Sequence, residues 1–109
     1  MRIDLKPLSI NCAFQGRRFK TKAHKDYETQ LLWLLKGCKK TTGWYSIRFD
    51  FYLRSYMVSD ISNLVKVTED VLVKAGIVED DRYCKHMELE KHKSRTNYFT
   101  FEITGVDHE

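Results

Sequence analysis

The segment Trp44–Leu53 constrains the fold more than any other part of this sequence. Its apolar residues occupy every second position, and polar residues fill most of the positions between them. Successive side chains of a β-strand point to opposite faces of a sheet, so this alternation predicts a strand with one buried and one polar face. The residues on the apolar face are Tyr45, Ile47, Phe49, Phe51 and Leu53.

Two segments, 23–36 and 62–75, place apolar residues three or four positions apart, which is the spacing of one face of an α-helix. Gly37 and Gly76 follow these segments, and glycine is the residue that most often ends a helix. Each predicted helix has one apolar stripe and therefore packs against other elements on one side only.

Further strands are predicted at Met1–Leu5, 83–91 and 97–104, and residues 9–22 are predicted to form a loop or ribbon that turns at Gly16. The order is β-α-β-α-β-β within a single domain, residues 1–109. The expected fold is an α+β two-layer domain, in which a mixed four-stranded sheet carries two helices on one face.

Composition narrows the class of protein. No apolar run approaches the length that a membrane span needs, and the residues after Met1 do not resemble a secretory signal, so we expect a cytoplasmic protein without a membrane role. The three cysteines are odd in number and far apart, which argues against a disulfide framework. A zinc site would need Cys84, His86 and His92 to share a strand face, and the usual ligand spacings are missing.

Charge is divided unevenly along the chain. Residues 1–50 carry eleven Lys and Arg against four Asp and Glu, whereas residues 51–109 carry eight against eleven. A phosphodiester nuclease needs both a basic surface for the nucleic-acid backbone and acidic ligands for a metal ion. The same asymmetry can arise by chance on solvated surfaces, so charge alone leaves both explanations open.

The residues suited to metal chemistry lie around the second predicted helix. Asp60 precedes this helix, Asn63 and Lys66 share one of its faces, and the pair Asp80-Asp81 follows it. If the strand after this pair lies beside the strand before the helix, Asp81 can return close to Asp60. Converging carboxylates repel each other unless a cation neutralises them, and Mg²⁺ prefers such oxygen ligands. We therefore expect Asp60, Asp80 and Asp81 to bind metal and Lys66 to stabilise developing charge.

Simpler interpretations of these residues stay open. Asp60 and Ser62 are both residue types that cap helices, so each could serve the helix alone. The pair Asp80-Asp81 could form only a turn.

Residues 16–27 form the second functional signal. Five basic residues surround Phe19, an arrangement that suits phosphate contacts combined with stacking on exposed bases. The alternative is a solvated loop whose Phe19 packs into the core. The basic residues are Arg17, Arg18, Lys20, Lys22 and Lys25.

These segments together resemble the RusA family of Holliday-junction resolvases over nearly the whole chain. The segment LSINCAFQGRRFKTKAHKDY is similar to the family's opening, in which a Ser-x-Asn segment leads into a basic loop and a helix. Asn11 of this segment is expected to contact DNA together with the five basic residues. The segment DISNLVKVTEDVLVKAGIVEDD is similar to the family's Asp-x-Asp-Asn-x-x-Lys helix start, with an Asp-Asp pair about one helix later.

The resemblance implies a homodimer that cuts four-way DNA junctions in recombination and repair with Mg²⁺ or Mn²⁺. Position by position, Asp60 matches the family's first catalytic aspartate, Lys66 its catalytic lysine and Asp81 its third catalytic aspartate. Asp80 stands beside this last residue, and Asn63 matches the asparagine of the motif. A two-fold dimer suits a junction that needs two symmetric nicks. The strand 44–53 could contribute to the dimer surface or lie in the core.

Ser62 departs from the family pattern, because it stands where the second aspartate is expected. A serine hydroxyl is a poorer Mg²⁺ ligand than a carboxylate, so the site loses one negative charge. Asp80 could take over, or a water held by Ser62 could fill the position. Alternatively the chain is weakly active, or binds junctions without cutting them. The third hypothesis is a structural or regulatory protein whose charges are only solvated.

Overall fold

A computed structural model describes residues 1–15 and 19–107 of the chain. The strands, in chain order, are β1 (Arg2–Ile3), β2 (Phe14–Gln15), β3 (Phe19–Lys20), β4 (Tyr45–Leu53), β5 (Cys84–Lys93) and β6 (Tyr98–Gly105). The helices are α1 (Ile10–Ala13), α2 (Lys22–Leu34) and α3 (Ser62–Lys74), and a 3₁₀ turn covers Asp81–Tyr83. Within the described part of the chain, no helix is long and apolar enough to cross a bilayer.

Four of the strands form one mixed sheet in the order β1-β6-β4-β5. The central strand β4 is antiparallel to β6 and parallel to β5, and α3 is the crossover that a parallel neighbour requires. The short strands β2 and β3 form a separate antiparallel ribbon. The predicted α+β class with a mixed four-stranded sheet is therefore confirmed.

The core lies between the sheet and the two long helices. Every second side chain of β4, from Tyr45 to Leu53, is at most 3% exposed. Helix α2 contributes Leu31 to this core and α3 contributes Val67, both fully buried. The apolar face of the segment 44–53 thus lies in the core. The sequence had left open whether this strand lies in the core or contributes to a dimer surface.

Helix α3 ends at a glycine, as predicted. Gly76 has a φ of +76°, a conformation that L side chains rarely adopt. Its N–H donates to the carbonyl of Val73 at 3.0 Å, and the N–H of Ile77 donates to that of Leu72 at 3.0 Å. This pair of bonds satisfies carbonyls that the helix end leaves without intrahelical partners, and it turns the chain towards β5.

Two elements near the N-terminus differ from the prediction. Strand β1 is shorter than Met1–Leu5, because the chain turns after it and the N–H of Leu5 donates to the carbonyl of Ile3 at 2.9 Å. A four-residue helix, α1, occupies part of the segment expected to be loop or ribbon, and the Ser9 hydroxyl caps it by accepting from the N–H of Asn11 at 3.2 Å. A helix of one turn is too short to show a periodic apolar pattern. The predicted turn at Gly16 lies outside the described residues.

Candidate functional site

The loop between β4 and α3 delivers Asp60 to the start of the helix. Lys91, on the neighbouring strand β5, donates to the carbonyls of Tyr56 and Ser59, each at 2.8 Å. The Ser59 hydroxyl in turn donates to the carbonyl of Ser55 at 2.8 Å. These bonds fix the backbone that immediately precedes Asp60, so its carboxylate is presented from an ordered loop.

Asp60 and Ser62 contact each other directly. Oδ1 of Asp60 accepts from the N–H of Ser62 at 3.2 Å and from the Ser62 hydroxyl at 3.0 Å. The N-cap residue of α3 is Ile61, which makes no side-chain capping bond, but the Asp60 carboxylate accepts the N–H of Ser62, the first residue of the helix, and so supports the helix start. Both of these bonds use Oδ1, so they do not by themselves occupy the whole carboxylate. Ser62 stands at the position where the resemblance expects a second carboxylate. Its hydroxyl is turned towards Asp60.

A groove of about 420 Å³ runs beside this helix start. Asn11, from the Ser-x-Asn segment, lines the groove together with Asp60 and Asn63. Helix α2 contributes Ala23 and Asp26 to the same groove. Two motifs that lie about fifty residues apart in the sequence thus meet at one surface depression.

Lys66 lies one turn further along α3 and contacts two carboxylates. Its Nζ lies 3.1 Å from Oδ1 of Asp70 and 3.2 Å from Oδ2 of Asp81. The hydrogen bond to Asp70 raises the pKa of Lys66, burial opposes this shift and the hydrogen bond to Asp81 adds to it. The ammonium group therefore stays protonated at neutral pH and provides a fixed positive charge.

The pair Asp80-Asp81 forms the entry to β5. Oδ1 of Asp80 accepts from the backbone N–H of Arg82 at 3.0 Å and caps the 3₁₀ turn. The pair thus takes part in a turn, as the simpler interpretation of the sequence proposed. This backbone bond holds the pKa of the Asp80 carboxyl below its usual range. Asp81 instead points towards α3 and reaches Lys66.

The structure does not gather Asp60, Asp80 and Asp81 into one compact set of ligands. In the described residues, the one group of three His, Cys, Asp or Glu side chains whose ligand atoms all lie within 4.8 Å of one another is elsewhere. The reason is the direction of the strands. Because β5 runs parallel to β4, the turn before β5 lies next to the start of β4, whereas Asp60 follows the end of β4. The expected return of Asp81 to Asp60 is therefore not seen, and Asp81 meets α3 at Lys66.

A hard dication would have to be held here by separate carboxylates, since Asp60 lies before the first turn of α3 and Asp81 meets the helix at Lys66. Asp60 and Asp81 offer oxygen donors, and Mg²⁺ is usually held by one or two carboxylates, several waters and substrate phosphates rather than by a closed protein cage. Such a site needs no third carboxylate within a few ångströms.

Glu69 belongs to the same cluster and was missed from the sequence. It is half-buried on α3, three residues after Lys66, and burial raises the pKa of its carboxyl while the charge of Asp81 raises it further. The helical spacing from Lys66 was the signal that could have identified it. Asp70, four residues after Lys66, shares that signal and contacts the lysine directly.

The group of three ligand side chains that the structure does assemble is Asp50, Glu90 and His92. It lies on β4 and β5, away from α3. The zinc alternative named His92 correctly as a side chain of a possible metal group, but it named the wrong companions, because Cys84 and His86 are not part of this group.

The basic segment is only partly described. Phe19 is 75% exposed, so the alternative in which it packs into the core is wrong. Lys20 lies 3.4 Å from Glu28 and Lys22 lies 3.1 Å from Asp26, while Lys25 is exposed on α2. Arg17 and Arg18 lie outside the described residues. The ribbon therefore presents Phe19 and Lys20 to solvent, and Lys22 and Lys25 are exposed at the start of α2.

Comparison with known proteins assigns no relative. No family model matches the chain, and a search of curated proteins finds no significant match.

Proposed function

We propose that the chain is a metal-dependent endodeoxyribonuclease that acts as a homodimer on branched DNA, with the four-way junction as its substrate. In this proposal Asp60 and Asp81, which the structure does not gather into one ligand set, would bind Mg²⁺ or Mn²⁺ through water and substrate phosphate, Asp80 would assist, and Lys66 would stabilise negative charge. The proposal rests on the residues matched to the RusA pattern and on the geometry around α3.

The contact between Lys66 and Asp81 supports the proposal most directly. These residues are fifteen positions apart, yet their Nζ and Oδ2 atoms are 3.2 Å apart. The resemblance assigns both of them to the chemistry of one reaction, and a scattered surface charge pattern would not predict their contact. Asp60 precedes α3 and Asn63 lies in its first turn, and both line the groove that Asn11 also lines.

Each of the chain's own groups has a physical role in this proposal. A bound dication would polarise a phosphoryl oxygen and make a bound water more acidic. Lys66 is held protonated by its carboxylate neighbours, which suits stabilisation of a developing oxyanion better than removal of a proton. Asn11 and the lysines of the ribbon and α2 would contact the DNA backbone and set its position at the groove.

The deciding experiment is cleavage of a synthetic four-way junction with Mg²⁺ and, separately, with Mn²⁺. We expect Asp60→Asn and Lys66→Met each to lower the cleavage rate by at least about 100-fold while gel-shift affinity changes little. Asp4→Asn is the matched control, because Asp4 is exposed and contacts Arg2 rather than the groove. Wild-type cleavage rates in Asp60→Asn would refute the assignment of the site.

Ser62 supports a second candidate function, a junction-binding protein that cuts weakly or not at all. Its hydroxyl bonds to Asp60 and brings no negative charge to the site. If neither metal supports nicking while gel shifts persist, this second function is correct. Ser62→Asp separates a weak enzyme from a non-cutting binder, because an added carboxylate should raise the rate of a weak enzyme.

A further inference from the structure

The outer face of the sheet, opposite the helices, carries an ordered group of charged and aromatic side chains. Parallel pairing of β4 and β5 sets Asp50 beside Glu90 and Tyr52 beside His92. Alternate residues of a strand share a face, so these four side chains project on the same side. Their relative positions are fixed by the register of two long strands rather than by a flexible loop.

Three of these side chains point potential ligand atoms at one another. Nε2 of His92 lies 2.8 Å from Oδ1 of Asp50 and 3.4 Å from Oε2 of Glu90. All three residues offer one ligand atom within 4.8 Å of the other two. Ligands about 2.0–2.2 Å from a tetrahedral or octahedral ion lie about 3–3.5 Å apart. The two distances from Nε2 of His92 therefore agree, to within a few tenths of an ångström, with the distances between neighbouring ligand atoms around such an ion.

The imidazole of His92 is held in its orientation by aromatic stacking. Its ring stacks on Tyr52 with centroids 4.6 Å apart, and Tyr52 stacks on Tyr98 at 4.3 Å. The guanidinium of Arg2 covers the far side of Tyr98 at 3.8 Å. This row crosses all four strands of the sheet, so rotation of the His92 ring would break a stack that the sheet supports.

Arg48 orients the two carboxylates. Its Nε donates to Oδ2 of Asp50 at 3.0 Å and its Nη2 lies 3.4 Å from Oε1 of Glu90. For Glu90 the other oxygen, Oε2, lies near His92, whereas Oδ1 of Asp50 both lies near His92 and accepts from Nη2 of Arg48 at 2.9 Å. Outer partners of this kind commonly fix the direction of metal-binding carboxylates.

The carboxylates around Arg48 carry an excess of negative charge that a dication would neutralise. Arg48 contacts three carboxylates, those of Asp50, Glu88 and Glu90, so one positive charge meets three negative charges and a net charge of −2 results. Asp50 is only 16% exposed and His92 is 30% exposed, so the group is partly desolvated yet reachable from solvent.

We propose that Asp50, Glu90 and His92 form a binding site for a first-row transition dication of the Zn²⁺ class, separate from the Asp60 and Asp81 carboxylates. An imidazole nitrogen beside carboxylate oxygens suits Zn²⁺, whereas Mg²⁺ prefers oxygen ligands alone. Water would complete the coordination on the exposed side. The bound ion would join the edge strand β5 to β4.

The test is calorimetric titration of the metal-stripped full-length chain with Zn²⁺, supported by the visible spectrum of bound Co²⁺. We expect one saturable site and a rise in melting temperature on saturation, because the ion binds the folded state. His92→Phe keeps a ring to stack on Tyr52 but removes the ligand nitrogen, so Zn²⁺ affinity should fall by more than about tenfold.

His86→Phe is the matched control. His86 lies on the same strand face and contacts Glu88 at 3.1 Å, but it is outside the proposed group. This variant and Asp60→Asn should both bind Zn²⁺ like the wild type. Asp50→Asn is a second, nearly isosteric variant that should lose the site, and circular dichroism without metal checks that each variant is folded. Absence of saturable binding to the wild type, or equal binding by His92→Phe, would overturn the proposal.

Discussion

The hydrogen bond between Tyr27 and Thr68 joins the two long helices inside the core, and its removal should measurably destabilise the chain. Tyr27 Oη and Thr68 Oγ1 are 2.7 Å apart, and the residues are 5% and 0% exposed. Burial raises the pKa of Tyr27 above its ordinary value even though Thr68 bonds to it, so the hydroxyl stays protonated at neutral pH. Tyr27 also lines the groove beside Asp60, which links this bond to the candidate site.

Thr68→Val keeps the shape of the side chain and removes only its hydroxyl. The Tyr27 hydroxyl then loses this partner in a buried environment but keeps its bond to the backbone of Leu8, so the change costs about 1 kcal/mol of unfolding free energy. Tyr27→Phe should cost more, about 1–3 kcal/mol, because it also removes the partner of the Leu8 backbone, even though a helical threonine can turn its hydroxyl to the carbonyl four residues earlier. The double variant should cost less than the sum of the two single changes, by about 1 kcal/mol.

Urea denaturation of the wild type, the two single variants and the double variant gives this cycle. A loss of 1 kcal/mol corresponds to a fall of about 4–8 °C in melting temperature for a domain near this size. Thr29→Val is the matched control, because Thr29 is exposed on α2 and its hydroxyl bonds only to the carbonyl of Lys25. We expect that control to stay within about 0.5 kcal/mol of the wild type.

Two results would contradict this reasoning. If Thr68→Val and Thr29→Val lower the unfolding free energy by the same amount, burial of the hydrogen bond does not determine its contribution to stability. If the single changes add without coupling, Tyr27 and Thr68 do not act as partners, and the packing of α2 on α3 must depend on apolar contacts alone.

Three further predictions concern the helix end, acid stability and DNA affinity. Gly76→Ala should cost about 1 kcal/mol in urea denaturation, because φ there is +76° while the nearest atoms to a new Cβ, those of Lys40, lie at 3.9 Å and do not clash. The hydrogen bond from Lys74 lowers the pKa of Glu28, so this contribution is present above the carboxyl's unfolded pKa and is lost as pH falls through the folded value. Glu28→Gln should therefore lose about 0.2–1 kcal/mol at pH 7, with the difference from wild type shrinking below about pH 4, as measured by denaturation across pH. Lys25→Ala should lower the slope of log affinity against log salt by about 0.9 in DNA titrations, whereas a chain without a nucleic-acid role shows no such dependence.

Local features of the fold could be predicted from the sequence because they depend on neighbours along the chain. The alternation in β4 and the apolar stripes of α2 and α3 identified the core-facing side chains, and Gly76 marked the end of a helix. Helix α1 was missed, since one turn of helix held by the cap from Ser9 has no period to detect.

The candidate sites could not be predicted to the same extent, because both depend on how β5 pairs. The sequence predicted a strand in the region of β5, but it did not establish which strand lies beside it or the direction and register of the pair. A parallel neighbour brings Asp81 to Lys66 on α3 and keeps it from forming a compact ligand group with Asp60. Residue-by-residue matching to a motif names the proposed members of this site without fixing their separation.

The same pairing also produces the group on the outer face. Asp50 and His92 are 42 positions apart and become neighbours only because Tyr52 pairs with His92 in a parallel register. A shift of this register by one residue would turn His92 towards the core side and remove it from Asp50. The geometry of both candidate centres therefore depends on one long-range pairing, in which the chain returns through α3 and β5 lies parallel to β4.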